Sequence, residues 1–252
     1  MYCPDHSWAT SGALPASAAA LNSWWEATAS GWTISSTLVP GLAFSKRRKA
    51  WEMYQSSSIT PDSFDGASVA VLSAVMILYD PNQEIYREAL SGLLYDALKK
   101  QKNGPRILPL NAVQSGINKA EIWDEYKTMI TDYKETGVLR KDVLSKLGEA
   151  LGVRYVLLPK LLRFQQVTFD RAVVLGISFI KTRESSVDIL AQLWDVQTGE
   201  VVWEGAGEGT LSTEVVQGKP VSFMVVAQHA CDSLVSRLPW VKKVQPDIKR
   251  MQ

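Results

Sequence analysis

Residues 189–209 read ILAQLWDVQTGEVVWEGAGEG, and the fold turns on whether this stretch is a propeller blade, a phosphate cradle, an acid/base cluster or plain sheet. A blade cannot bury its faces alone and needs sister repeats at a period of about 40 residues. The other Trp-Asp pair, Trp123-Asp124, sits in a helical pattern instead. A dinucleotide fingerprint needs its glycines between a strand and the helix that follows, so that backbone amides face the phosphates. Gly205, Gly207 and Gly209 end a strand-like run with no helix directly after it. The two-residue period puts Val187, Ile189, Ala191 and Leu193 on one face and Asp188, Leu190, Gln192 and Trp194 on the other. The polar link Asp195 to Glu200, with Gly199 able to take positive φ, predicts a hairpin of strands 187–194 and 201–209. The glycines then serve a bulge or a close backbone approach. Glu200, Glu204 and Glu208 fall with Val202 on one strand face, which reads as a solvated edge rather than an acid/base pair with divergent environments.

On the amino-terminal side, VRYVLLPKLLRF (153–164) is nearly continuous in apolar residues, as for a strand covered on both faces, with Pro159 implying a bulge or an edge. Ala67 to Tyr79 reads as another buried strand, and RILPL (106–110) as a short one. A less regular strand is predicted over Ala172 to Lys181. Asp80-Pro81 marks a helix start, with Ile85, Ala89, Leu93 and Ala97 on one stripe, Leu90, Leu94 and Leu98 beside it, and a stop at Asn103-Gly104-Pro105. Asn118 and Glu121 have capping-box spacing ahead of Ile122, Tyr126, Met129, Ile130 and Tyr133. Another helix begins near Lys141, presents Leu144, Leu147 and Leu151, and stops at Gly152. The last, Pro220 to Leu238, turns Met224, Ala227, Cys231, Leu234 and Leu238 inward.

Composition narrows the function. At 252 residues and 46% hydrophobic content the chain fills a substantial core. Its 27 basic and 26 acidic residues leave no global field to gather nucleic acid, so no nucleic-acid partner is expected. Two cysteines, Cys3 and Cys231, and two histidines, His6 and His229, are too few and too scattered for a metal site; no metal and no cofactor are expected. A Cys231–His229 nucleophile couple is disfavoured because the two lie on different helix faces. No catalytic residues are assigned.

Residues 1–44 stand apart: rich in Ala, Ser and Thr, without lysine or arginine, and carrying Trp8, Trp24, Trp25 and Trp32. Such tryptophans bury against the domain or another subunit. The basic run Lys46, Arg47, Arg48 and Lys49 follows and reads as a solvated helix face. These eight residues are the candidate partner-binding set. No run of about 20 apolar residues exists, so no membrane-spanning helix is expected. The amino terminus has no clear secretory pattern, so export presupposes a leader that lies outside this numbering.

The segments SVAVLSAV (68–75), LGVRYVLLPKL (151–161) and VDILAQLWDVQTGEVVWEGAGEG (187–209), with the terminal amphipathic helix, together resemble the periplasmic domain family of the curli secretion channel protein. The same pattern is similar to the Pel exopolysaccharide lipoprotein and to the amino-terminal domain of the Tol-Pal translocation protein. The resemblance spans about residues 67–238, departing at Ser73, where such proteins often have proline, and at Cys3, which no lipobox precedes. It implies an α/β domain of a bacterial envelope protein, often lipid-anchored, that assembles into rings and guides polymers or partner proteins.

The expected architecture is therefore α/β: a mixed β-sheet flanked by helices over 67–240, an irregular amino-terminal arm with a basic helix over 1–66, and a tail over 241–252. The expected function is a non-enzymatic cell-envelope assembly or secretion-accessory subunit. It would be homo-oligomeric, in contact with other envelope proteins, and located in the periplasm or on the inner face of the outer membrane. Peripheral or lipid-anchored membrane association is expected, with Cys3 the candidate lipidation site. Two rivals stand beside this: a small-ligand binder or enzyme using the carboxylates of the 195–208 hairpin, and an outer-membrane secretion pore subunit inserting residues 172–181.

Overall fold

The structure is a computed structural model that describes residues 44–77, 80–101, 104–174, 177–215 and 221–241. Cys3, Trp8, Trp24, Trp25, Trp32 and the tail beyond residue 241 lie outside the described residues. In chain order the elements are β1 (Phe44–Gln55), a 3-10 turn (Pro61–Phe64), β2 (Ser68–Val71), β3 (Val75–Met76), α1 (Gln83–Lys99), β4 (Arg106–Leu108), α2 (Leu110–Lys119), α3 (Trp123–Thr136), α4 (Lys141–Leu151), β5 (Tyr155–Val174), β6 (Ile177–Asp195), β7 (Val201–Val215) and α5 (Phe223–Val235). The strands form one sheet in the order β1-β7-β6-β5-β2-β4, with β3 also on β5. β2 runs parallel to β4 and β5, whereas β5, β6, β7 and β1 form an antiparallel half. This is the mixed, helix-flanked sheet that the patterns predict.

Alternation along the strands builds two cores. Val69, Val71, Tyr155, Leu157 and the row Val187, Ile189, Ala191, Leu193 pack with Leu90 and Leu94 of α1 and with Val226, Ala230 and Leu234 of α5. Their neighbours Ala70, Leu72, Val156, Leu158 and Trp194 pack with Val113 and Ile117 of α2, Met129 of α3, and Leu144 and Leu147 of α4. The first part of β5 is therefore covered on both faces, which is why its sequence shows no polar alternation. Leu157 accepts from the Leu72 amide and Leu161 from the Ile77 amide, so the same edge of Pro159 faces β2 and β3. β2 pairs with Tyr155–Leu157 and β3 with Lys160–Leu161. Pro159's missing donor falls in the gap between them, and this interior proline breaks no ladder bond. The predicted Ala67–Tyr79 strand is accordingly two pieces. Between them the Ala74 amide is satisfied by the Ser91 hydroxyl of α1 at 3.0 Å.

The hairpin forms as predicted, with Gly199 at φ 75°. Asp195 organises its turn: one carboxylate oxygen accepts from the Gln197 and Thr198 amides at 2.8 and 3.2 Å, the other from Arg154 at 2.7 and 2.8 Å. α4 stops where expected, with Gly152 at φ 62° as its left-handed cap. The Asp80 carboxylate accepts from the Asn82 amide at 2.7 Å, in a turn that precedes α1.

Five further expectations are corrected. Residues 46–49 lie in strand β1, not on a helix, because β7 offers them a partner edge. Asn118 is in the last turn of α2, and Glu121 takes a left-handed φ of 56° between helices, so no capping box opens α3. Ala172–Lys181 is not one strand: β5 ends at Val174 and β6 starts at Ile177, paired with each other up to that point. Met224 is 48% exposed, since Phe223 takes the inward position and packs on Tyr86 and Phe164. Val202 leaves the carboxylate face and is buried, because the register shifts between Leu193 and Trp194.

Candidate functional site

Among the described residues β1 ends the sheet, and pairing decides where its charges go. Residues directly opposite in an antiparallel pair share a face. Gly207 and Gly209 face α5 and Gly205 shares their side by alternation, so their partners Ala50, Arg48 and Glu52 lie on that side. There Arg48 stands 3.9 Å from Asp232 of α5. Arg47, Lys49 and Trp51 point to the other face, where Arg47 pairs with Glu184 of β6 at 3.3 Å. The basic run is thus split between two faces of one strand.

Across β1, β7, β6 and β5 the face opposite α5 carries cross-strand rows. One row is Lys49, Glu208, Asp188 and Arg163. Two like charges sit opposite each other at its centre, a repulsive arrangement unless cations flank it. Arg163 meets this need on one side at 2.7 and 2.8 Å from Asp188. A second row runs Tyr54, Glu204 and Gln192. Gln192 donates to Glu204 and accepts from the Tyr133 hydroxyl at 2.6 Å, tying α3 to the sheet. Lys160 lies over the Tyr133 ring at 4.4 Å, and burial holds its pKa below the usual lysine range against the opposing pull of Glu204. Beside these rows β1 exposes Trp51 (49%), Met53 (58%) and Tyr54 (49%), with a register shift between Glu52 and Tyr54 that frees Met53 from the ladder. Large exposed apolar side chains in one short stretch are the surface feature most often tied to a partner.

The carboxylates proposed for chemistry do not converge. Glu204 and Glu208 are four residues apart on one strand, about 13 Å at the usual rise, each engaged by a neighbour, Gln192 or Thr210. Glu200 is exposed in the turn. Among the described residues no three His, Cys, Asp or Glu side chains are grouped to hold a metal. Cys231 is fully buried and its thiol is pushed up by that burial. His229 is held down to about 4 by burial first and then by Lys46 and Arg48. It is therefore a neutral packing residue at neutral pH. The glycines have a plain structural use: a Cβ at Gly207 would stand 2.5 Å from the Ala230 carbonyl oxygen, and one at Gly209 2.5 Å from that of Val226. They let the α5 backbone lie directly on β7.

Trp51, Met53 and Tyr54 escaped sequence reasoning. The only signal was the aromatic and β-favouring character of AWEMY (50–54) after the charges. Of the candidate partner set, Lys46, Arg47, Arg48 and Lys49 are exposed on β1, divided between its two faces. The four tryptophans and Cys3 lie outside the described residues.

Among the described residues, fold and surface together define an α/β domain with two cores, one long basic and aromatic edge strand, and charged cross-strand rows on the face opposite α5. Solved structures similar to it include a PelC dodecamer from Paraburkholderia phytofirmans, at 16% identity and a TM-score of 0.38 over 79% of this chain and 98% of that one. Lipoprotein GNA1162 from Neisseria meningitidis is similar at 17% identity and a TM-score of 0.32, over 57% and 82% of the two chains. The LpoB C-terminal domain from Salmonella enterica follows at 15% identity and 0.31, over 60% and 85%. No family model and no curated protein sequence matches the chain. Among the described residues no helix is long and apolar enough to cross a membrane.

Proposed function

We propose that this protein is a non-enzymatic assembly or secretion-accessory subunit of the bacterial cell envelope, acting as a homo-oligomer through protein contact surfaces. One observation carries the reading: β1, twelve residues long and at the end of the sheet, exposes Trp51, Met53 and Tyr54 beside four basic side chains. An edge strand presents unpaired backbone groups, and exposed aromatics supply the apolar contact that such pairing needs. The envelope setting rests on the sequence resemblance of the 151–161 and 187–209 segments. In this reading the tryptophan-bearing arm, which leads directly into β1, seats on a neighbouring copy.

The test is light scattering on the full chain across a concentration series. The expected mass is a defined multiple of 27.9 kDa, and a Trp51→Ala, Met53→Asp, Tyr54→Ala variant of unchanged helix and sheet content shifts toward the monomer. A parent chain that stays monomeric at every concentration overturns the proposal.

A second reading, a pore subunit, is supported by the antiparallel pair β5–β6, strands of 20 and 19 residues paired from Tyr155 and Asp195 to Val174 and Ile177. Conductance of planar bilayers or liposomes exposed to the purified chain tests it, and membranes that stay sealed at all protein concentrations remove it.

A further inference from the structure

β2 and β4 are parallel neighbours, yet the helices that follow them go to opposite sides of the sheet: α1 packs in one core and α2 in the other. Divergence of this kind opens a crevice beyond the carboxyl ends of the strands, the usual place for ligands in α/β sheets. Here it is a cleft of about 370 Å³ between α1, α2 and α3. Its apolar wall is Ala74, Val75, Val113, Ile117 and Ile130, and its charged lining is Arg87, Lys127, Lys134 and Glu84. Trp123, the first residue of α3, is 57% exposed and also lines it.

The charge is lopsided. Among the described residues Glu84 is the only carboxylate in the lining, and it is ion-paired to Arg87 one helical turn on. Among the described residues Lys127 and Lys134 have no carboxylate within ion-pair distance, and they are spaced seven residues apart so that both fall on one side of α3. Gln114 and Asn118 of α2 add carboxamide groups. Tyr126 adds a phenol, pushed up to about 12 by burial with Arg87 pulling the other way. Surface lysines on a convex helix are ordinary. Lysines beside a concave apolar wall with an exposed indole are a different arrangement, because an apolar body can be desolvated while its anionic head is matched. The volume is that of a small-molecule site and too small for a folded partner.

We infer that this cleft binds a small organic anion, an apolar or aromatic body carrying a carboxylate or a phosphate, with the body against Val75, Val113 and Ile117 and the head toward Lys127 and Lys134. The site lies apart from the β1 surface and does not depend on the oligomer reading.

Titration calorimetry of the full chain with naphthylacetate, naphthyl phosphate and the uncharged naphthylacetamide tests it. Expected is saturable one-to-one binding of at least one anion, with the amide about tenfold weaker or worse, the size of effect that one lost charge-assisted contact gives. The tighter of the two anions identifies the head group. A Lys127→Gln, Lys134→Gln variant should bind that anion no better than the amide, and Thr131→Trp, which crowds the lining from an exposed position, should weaken all three. Should the tryptophan variant fail to fold, the lysine variant decides alone. Equal affinity for amide and anions, unchanged binding by the lysine variant, or no saturable binding of any probe overturns the inference.

Discussion

At Gly207 an added Cβ meets the Ala230 carbonyl oxygen at 2.5 Å and Leu234 Cβ at 3.0 Å, and neither the α5 backbone nor the strand beneath it can give way cheaply. Gly207→Ala is therefore expected to cost roughly 2–3 kcal/mol by forcing helix and sheet apart. Gly92, exposed in α1 with nothing within 4 Å of a Cβ, is the control. Gly92→Ala should gain roughly 0.5–1 kcal/mol from helix propensity. Urea denaturation of the two variants measures both signs, and equal effects would remove the close-approach explanation. His229 makes a second prediction at this scale. Burial and the cations Lys46 and Arg48 lower it from 6.5 to about 4 in the folded chain. Between those values the unfolded chain binds a proton that the folded chain refuses, so stability falls as the pH drops through that window and is intact above it. Solvent screening at this half-buried site limits the effect to about 1–2 kcal/mol. His229→Gln should flatten this part of the pH profile, measured by denaturation at neutral pH and near the lower value.

Elements hold through junctions more than through their own propensity, and the β6–β7 turn is the clearest case. Asp195 is buried and satisfies two turn amides and the Arg154 guanidinium at once. Asp195→Ala should cost roughly 2–3 kcal/mol, while Asp195→Asn keeps the amide contacts and should cost about 1 kcal/mol; a shift in denaturation midpoint with unchanged slope is the measurement. This turn was legible because Asp, Gly and the flanking alternation agree on one answer. So were α4, with its leucine stripe and terminal Gly152, and the two-faced burial of β5. α2 was not, because only Val113 and Ile117 of its ten residues reach the core, too few for a periodic signal. Gly116 further weakens its helical appearance, yet a Cβ there would collide with Leu151 of α4. β1 was illegible for a related reason: KRRK (46–49) has no apolar alternation, and its strand state is imposed by the free edge of β7. As for sites, the sequence exposed the weakness of Glu200, Glu204 and Glu208 as a catalytic set, but the cleft depends on which faces α1 and α2 take, and no local pattern encodes that.

At the scale of the molecule, the two ends of the sheet are unlike among the described residues. β4 closes one end with three residues, while β1 leaves twelve at the other. A short edge is safe by its length, and a long one is a template for pairing with another chain unless charge restrains it. Lys46, Arg47, Arg48 and Lys49 put cations on both faces of β1, and the two faces use them differently: Arg48 lies toward Asp232 on the α5 side, and Arg47 reaches Glu184 on the opposite side. Exposed pairs of this kind contribute less than about 1 kcal/mol, so stability is a poor reason for four of them in a row. Control over which chain pairs with the edge is a better one, because like charges on competing strands make wrong pairings costly. Arg47→Thr with Lys49→Thr should then change thermal stability by less than about 1 kcal/mol. The same variant should convert a defined assembly into species of mixed and growing mass, since threonine favours strands and removes the repulsion. Light scattering followed over days, beside the Trp51, Met53 and Tyr54 variant, separates the two contributions: loss of the aromatic contacts should yield monomer, and loss of the charges should yield disorderly growth. A threonine variant that keeps the parent's mass and uniformity would show that the cations guard nothing, and the aromatic side chains alone would then carry the contact.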